Sequence, residues 1–375
     1  MPSVAAAART VRDVLLRVHL VLGLVAAAFL LILGATGAMM AFEHDIERWI
    51  DPGLWRASSA EHRLTEDALV AAVQAQFAPA HVVSIQMSPR SDVVRVMRMS
   101  DQASVYVDQW SGRVTRRVVG TTRVQDWIGY VHQLHLRLVP NPRAVPRWVS
   151  TCGKLVVSWA GALLCVLVPT GLVLWCRAKR ASVRLGGSWF RTAFDAHHAI
   201  GVYACAFIFV AGFTGVMVGF DAAERQIYRL SGSEEPNRPK PPTASEANGR
   251  HRIPLEQAIA AARVVVPSEE VVAVVIPDDA RSVYAVQLRS PQEVAVDAPI
   301  PITVYVDPYS AAVIRVQDLF KQSPGYRLVR LNRAIHTGDI FGAAGHVVTS
   351  ASSLALSLMV LSGIMIWRSK AKASE

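Results

Sequence analysis

HLVLGLVAAAFLLILGATGAMMAF, residues 19–42, decides how the rest of the chain is read. It is apolar almost throughout and long enough to cross a bilayer, which takes about 20 residues as helix. It opens on His19 and closes on Gly34-Ala-Thr-Gly37 ahead of Phe42. Residues 197–220, HHAIGVYACAFIFVAGFTGVMVGF, repeat it without a gap. His19 falls on His197, Gly23 on Gly201 and Phe29 on Phe207. Gly34, Thr36 and Gly37 fall on Gly212, Thr214 and Gly215, then Met39 on Met217 and Phe42 on Phe220. This many matches in one register predict an internal duplication, with a histidine at the same depth in both copies.

Working outward, two further apolar runs pair off. The second span, about Leu155–Trp175, ends on Thr170-Gly-Leu-Val-Leu-Trp175, and the fourth, about Val347–Trp367, ends on Ser362-Gly-Ile-Met-Ile-Trp367. The chain therefore reads as two copies of span, outer segment, span. The first run is too long for a signal-peptide core and has no small-x-small cleavage site before Glu43, so it is expected to stay as a permanent span.

Charge orients the spans. Arg9, Arg12 and Arg17 precede the first, and Glu43, Asp45, Glu47 and Asp51 follow it. Arg177, Lys179, Arg180, Arg184 and Arg191 separate the second from the third, and Arg368, Lys370 and Lys372 follow the fourth. Basic loops stay in the cytoplasm, so both termini are expected inside. Arg143, Arg147 and Lys154, on the outer side of the second span, run against this pattern. The expected layout is a cytoplasmic 1–17, spans at 18–42, 147–176, 197–220 and 338–367, outer domains at 43–146 and 221–337, an inner loop at 177–196 and a tail at 368–375.

Of 375 residues 52% are hydrophobic, which suits spans plus sizeable polar domains. The net charge of +10 comes from basic residues beside apolar runs rather than from a nucleic-acid motif, so no nucleic-acid partner is expected. Cys152, Cys165, Cys176 and Cys205 form no CxxC, hence no zinc site or disulfide framework, and no CxxCH for a thioether-linked haem.

Both outer segments read as α+β domains. Residues 64–77 have helical spacing, followed by strands at Val82–Met87, Val93–Met99, Ser104–Val107 and Arg113–Val118, with a turn at Asp108–Gly112. The second segment repeats the plan with a helix at Leu255–Val265 and strands at Val271–Ile276, Val283–Leu288 and Thr303–Val306. Val105-Tyr-Val-Asp108 matches Val304-Tyr-Val-Asp307. Residues 231–252, rich in Pro, Ser, Glu and Lys, read as a flexible linker. The predicted fold class is an α-helical membrane protein: a four-helix transmembrane bundle from a duplicated half, with two α+β periplasmic domains.

The histidines fall at two levels. His19 and His197 start spans that run outward, so both lie at the inner face. His132 and His135 precede the second span, and His336 and His346 precede or open the fourth, so these lie at the outer face. Two imidazoles facing each other from separate helices are what bis-histidine haem ligation needs. His198 competes with His197, but His197 alone aligns with His19. At the outer level the choice between His336 and His346, and between His132 and His135, stays open. Gly23, Gly201, Gly342 and Gly345 follow a histidine closely and would let a helix approach a planar ring or another helix. Phe29, Trp159, Phe207 and Phe209 stand near mid-span, between the levels. His44, His62, His81 and His251 read as surface residues.

The chain resembles the PepSY-associated transmembrane family of bacterial inner-membrane proteins, and within it the FoxB-type siderophore-iron reductases. The carriers are His19-x-x-x-Gly23 with Thr36-Gly37, Leu134-His135-Leu-Arg137, His197-x-x-x-Gly201 with Thr214-Gly215, Ile335-His336-Thr-Gly338 with Gly342, and the two VYVD segments of PepSY-like domains. The resemblance implies a reductase with two haems b, held by His19 with His197 and by His135 with His336 or His346. It implies electron transfer to ferric siderophores in the periplasm and release of ferrous iron. No GxGxxG-type nucleotide signature is present, so the donor is expected to be a quinol, a reductase or a small reductant. Two other classes compete. One is a non-redox membrane protein whose outer domains bind a peptidase, peptide or signalling partner. The other is a transporter, which the lack of Asp or Glu in the spans as read here argues against.

Overall fold

The computed structural model describes residues 4–58, 62–88, 90, 92–178, 181–184, 188–267, 270–295 and 300–372. Lys179 and Arg180, used above to orient the spans, lie outside them. In chain order the elements are α1 (Val4–Met40), α2 (Glu43–Ile50), α3 (Pro52–Trp55), α4 (Glu66–Phe77), β1 (Val82–Gln86), β2 (Arg95–Met99), β3 (Ala103–Val107) and β4 (Val114–Val119). Then follow α5 (Arg123–Arg137), α6 (Arg147–Ala178), α7 (Trp189–Gly219), α8 (Asp221–Leu230), α9 (Leu255–Val265), β5 (Val271–Val275), β6 (Tyr284–Arg289), β7 (Pro301–Val306) and β8 (Val313–Gln317). The chain ends with α10 (Leu319–Gln322), α11 (Pro324–Thr337), a 3-10 turn at Asp339–Phe341 and α12 (Gly342–Lys372). These form two units. One is helical (to Glu43, Trp127–Ile227, from Val329) and the other carries the strands (His44–Asp126, Tyr228–Leu328).

Among the described residues, four stretches of the helical unit are long and apolar enough to cross a membrane: Thr10–Met40, Arg147–Cys176, Trp189–Gly219 and Asp339–Lys370. Helix α1 packs on α12 and α6, and α7 packs on the same two, so the four close into a ring. In lipid, such helices associate through close van der Waals packing of small residues. Gly34 of α1 lies so close to α12 that a Cβ there would stand 2.7 Å from the Ser353 carbonyl. Gly212, its match in the repeat, backs onto Gly161 of α6, where a Cβ would stand 3.3 Å from the carbonyl oxygen. Ala26, Leu30, Ala160, Leu164, Leu167 and Ile208 form the buried core between these contacts.

Helices α5 and α11 are absent from the sequence reading, which assigned their residues to the outer domains 43–146 and 221–337. The structure places Trp127–Arg137 and Val329–Thr337 in the helical unit. Both helices mix charged and apolar residues turn by turn, as in Arg123-Val-Gln-Asp-Trp127, so neither stands out as a span. Each doubles back onto the span after it. A Cβ at Gly153 would overlap the Arg137 carbonyl, and one at Gly345 would overlap the Gly338 carbonyl.

The other unit brings the strands of both outer segments together. Its strands form one antiparallel sheet in the order β4-β3-β2-β1-β5-β6-β7-β8. The join is β1 with β5, through Ser84↔Val275, Ile85↔Val274 and Gln86↔Ala273. A four-stranded half alone would leave its first strand as a bare edge, and pairing the two edges satisfies both rows of backbone groups. The core is continuous across the join, with Leu69, Val73, Ile85, Met97 and Val105 from one half and Ile259, Val274, Val286 and Val304 from the other. The helices over it cap each other. The Asp67 carboxylate accepts from the Leu255 and Glu256 N–H groups at 2.8 and 3.0 Å, and Glu256 Oε1 accepts from the Glu66 N–H at 2.8 Å. Glu66 also meets Arg95 at 3.2 Å, with the two side chains only 10% and 4% exposed.

The VYVD repeat has a structural reason. Asp108 accepts from the N–H groups of Ser58, Trp110 and Ser111. Asp307 accepts from the N–H groups of Ser245, Tyr309 and Ser310 and from both serine hydroxyls. Burial opposes ionisation of Asp307, but these donors outweigh it and hold the carboxyl at about 2. The same bonds correct the reading of 231–252 as a free linker: Ser245 is tied to Asp307, and the Ala244 N–H bonds the Arg281 carbonyl. Strand β8, absent from the sequence reading, pairs with β7 as an edge.

Candidate functional site

Four serine- or threonine-glycine pairs, all in the long helices, each seat one histidine. Thr36 Oγ1 of α1 lies 2.9 Å from His135 Nδ1 of α5. Thr214 Oγ1 of α7 lies 2.9 Å from His336 Nδ1 of α11. Thr170 Oγ1 of α6 lies 3.0 Å from His19 Nδ1 of α1. Ser362 Oγ of α12 lies 3.1 Å from His197 Nδ1 of α7, which also faces the Met359 carbonyl at 3.1 Å. The following glycine makes room for the ring. A Cβ on Gly37, Gly171, Gly215 or Gly363 would stand 3.2, 3.0, 3.2 or 3.4 Å from the Cε1 of its histidine.

The hydrogen bonds fix which nitrogen is available. Each hydroxyl donates to the carbonyl four residues back: Thr36 to Ile32, Thr170 to Val166, Thr214 to Val210 and Ser362 to Leu358, at 2.6–2.8 Å. Its proton is therefore spent, and the oxygen accepts from Nδ1–H. At His197 the Met359 carbonyl, a pure acceptor, demands the same. Each imidazole then carries a proton on Nδ1, and in its neutral form it presents Nε2 as a lone pair, the usual state of a metal-binding histidine.

The seats fall at two levels along the helices. His135 and His336 face each other with centroids 6.5 Å apart and planes at 54°. Thr36 and Thr214, which seat them, each stand 17 residues along their helix from His19 and His197, a rise of ~25 Å. His19 and His197 hold matching positions of the sequence repeat on α1 and α7.

The rival histidines point elsewhere. His346 is buried, with Nε2 on Asp339 Oδ1 at 3.0 Å and its ring edge-on to Phe42. His132 Nδ1 lies 3.3 Å from Glu43 Oε2. His198 Nδ1 turns back to the Phe194 carbonyl of its own helix at 2.8 Å. The structure thus brings His336, not His346, to His135. Gly23, Gly201 and Gly345 face Leu167, Met359 and the Gly338 carbonyl, so these three serve packing within the protein. Of the mid-span aromatics, Phe29 packs against the bundle core, whereas Trp159, Phe207 and Phe209 are exposed on its outside. Asp195 is buried within α7, which starts at Trp189, ahead of the span read from sequence at 197–220. The argument from a lack of acidic residues in the spans does not hold for this helix.

Comparison with protein families matches residues 16–370 to the PepSY-associated TM region. The chain belongs to the PepSY-associated transmembrane family. No curated protein matches it. The match spans all four seats of this PepSY-associated chain, from before His19 to beyond Gly363.

The spacing of the outer pair would suit one axially ligated haem. A metal–imidazole bond is about 2 Å long, so two rings on opposite sides of one iron stand with centroids roughly 6 Å apart. His135 and His336 are close to that spacing. Among the described residues no three His, Cys, Asp or Glu gather around one point, and a bis-histidine haem draws only two ligands from the protein. The seats themselves were half visible in sequence. Thr36-Gly37 and Thr214-Gly215 mark the sequence repeat, as do Thr170-Gly171 and Ser362-Gly363, but local sequence does not show the histidine that each receives.

Proposed function

We propose that this protein is an inner-membrane, haem-containing reductase that carries electrons across the bilayer to ferric siderophores in the periplasm. Both termini lie in the cytoplasm in this reading, and the sheet unit lies outside. His19 and His197 hold the inner haem b, and His135 and His336 the outer one. A haem supplies a one-electron ferric/ferrous couple whose potential follows its axial ligands and burial. The chain's residues supply the rest. The seats hold each imidazole neutral with Nε2 presented, and the core of Ala26, Leu30, Ala160, Leu164, Leu167 and Ile208 keeps water out between the two levels. The donor is a quinol, a partner reductase or a small reductant. The acceptor is a ferric chelate, which takes one electron per iron and holds the ferrous ion far less tightly, so the protein need break no covalent bond.

The observation that carries this reading is the facing pair His135–His336, each ring tied through Nδ1 with Nε2 free. The test is a reduced-minus-oxidised spectrum of the purified full chain with haem-to-protein stoichiometry. Two low-spin haems b per chain are expected, falling to one in His135→Ala or His336→Ala and staying at two in His346→Ala. Each variant with one haem should accept electrons from the cytoplasmic side yet fail to reduce a ferric siderophore added outside. A colourless, folded protein would end the haem reading and favour a non-redox protein whose sheet unit binds a peptidase, peptide or signalling partner.

A further inference from the structure

The four seats have more in common than placing a ring. In each, a hydroxyl gives its proton to the carbonyl one turn back and takes the Nδ1 proton of the histidine, while the next glycine stands against Cε1. Polar groups inside a membrane bundle are rare and costly, and a hydroxyl whose only role was local would be satisfied by its own helix. These are satisfied that way already, and each makes a second bond to a histidine on another helix. The oxygen is polarised by the bond it donates, which makes it a better acceptor.

We infer that Thr36, Thr170, Thr214 and Ser362 are positioning residues that lock the rotation of the axial imidazoles and lower the potentials of both redox centres. This rests on the haem reading above. An acceptor on Nδ1–H pulls that proton toward itself and leaves more electron density on Nε2, which stabilises the ferric over the ferrous iron. Partners of this kind orient a ligand and tune its metal, and losing one typically costs 10–100-fold in metal affinity or activity. The glycine acts with the hydroxyl: it holds the ring from the Cε1 side, so hydroxyl and glycine together leave one rotamer.

The experiment uses the detergent-purified full chain and the outer pair. Thr36→Val and Thr214→Val keep the side-chain shape and remove the hydroxyl. Each is expected to retain two haems, shift the outer midpoint potential upward, and change the low-spin ferric EPR g values, which report the angle between the imidazole planes. The inner potential should not move. Thr36→Ser and Thr214→Ser restore the hydroxyl and should return both readouts to the wild-type values. If a valine variant loses its outer haem, recovery of that haem with wild-type potential in the serine variant still supports the inference, and failure of serine to recover it overturns the inference. Full haem content with unchanged potential and g values in both valine variants overturns it as well, while leaving two bis-histidine haems in place. A wild-type protein without haem overturns the parent reading instead.

Discussion

At the scale of single residues, two sets of buried polar groups stand out. In the bundle they tie histidines to the hydroxyls beside them. In the sheet unit they form the Glu66–Arg95 pair at 3.2 Å. Both of these side chains are taken from water, so the ion pair is worth little net, but either partner left alone is an uncompensated charge. Arg95→Met should therefore destabilise the protein by about 3–5 kcal/mol, while Arg95→Met with Glu66→Leu should recover most of that loss. Chemical denaturation of the two variants, followed by circular dichroism, checks this: equal losses in the single and the double variant would show that the pair matters by shape alone. One residue departs from its repeat partner in a telling way. Gly112 and Ala311 close the matching turns after Asp108 and Asp307, and Ala311 takes the left-handed conformation, φ +60°, that Gly112 takes at +70°. The five donors on Asp307 hold that turn where a side chain would otherwise resist it.

Among elements, the two halves are joined by caps that each supplies to the other. Helices α4 and α9 exchange their caps, so each half supplies acceptors for the other's first turn. Asp67→Ala removes the acceptors of two N–H groups at the start of α9. It should cost about 1–2 kcal/mol, in the range measured for lost N-caps. Glu256→Ala should cost a similar amount. A double-mutant cycle in full-length protein measures whether the two caps act as one joint, in which case the double variant loses less than the two singles together. Thermal shift that is strictly additive would show two independent caps. In the bundle the repeat pairs crosswise as well. Gly34 backs onto α12 and Gly212 onto α6, so the first span of each half packs against the last span of the other.

Across the whole molecule, two halves with matching sequence segments form a four-helix ring and one eight-stranded sheet. The proposed vectorial role requires His19 and His197 at the cytoplasmic face. Reporters fused after Glu375 or within 180–190 should read as cytoplasmic, and one within 231–250 as periplasmic. A terminus found outside would reverse the direction of electron flow and with it the proposal that the acceptor is a periplasmic chelate.

The sequence by itself determined the four spans, the repeat that relates them, the strands β1–β7 to within a few residues and the histidines that carry the candidate site. All of these follow from local signals: apolar length, period-two alternation and one register of matching residues. The tertiary structure decided the rest because each remaining choice depends on what lies opposite in space. His336 rather than His346 faces His135, because α11 folds back over Gly345 and Asp339 takes up the His346 ring. The two outer segments share one sheet, because β1 and β5 are each an edge until they meet. Thr170 and Ser362 become histidine seats only when α1 and α7 are laid against them. A hydroxyl in an apolar helix bonds its own backbone whether or not a neighbour comes, so its sequence looks the same in both cases.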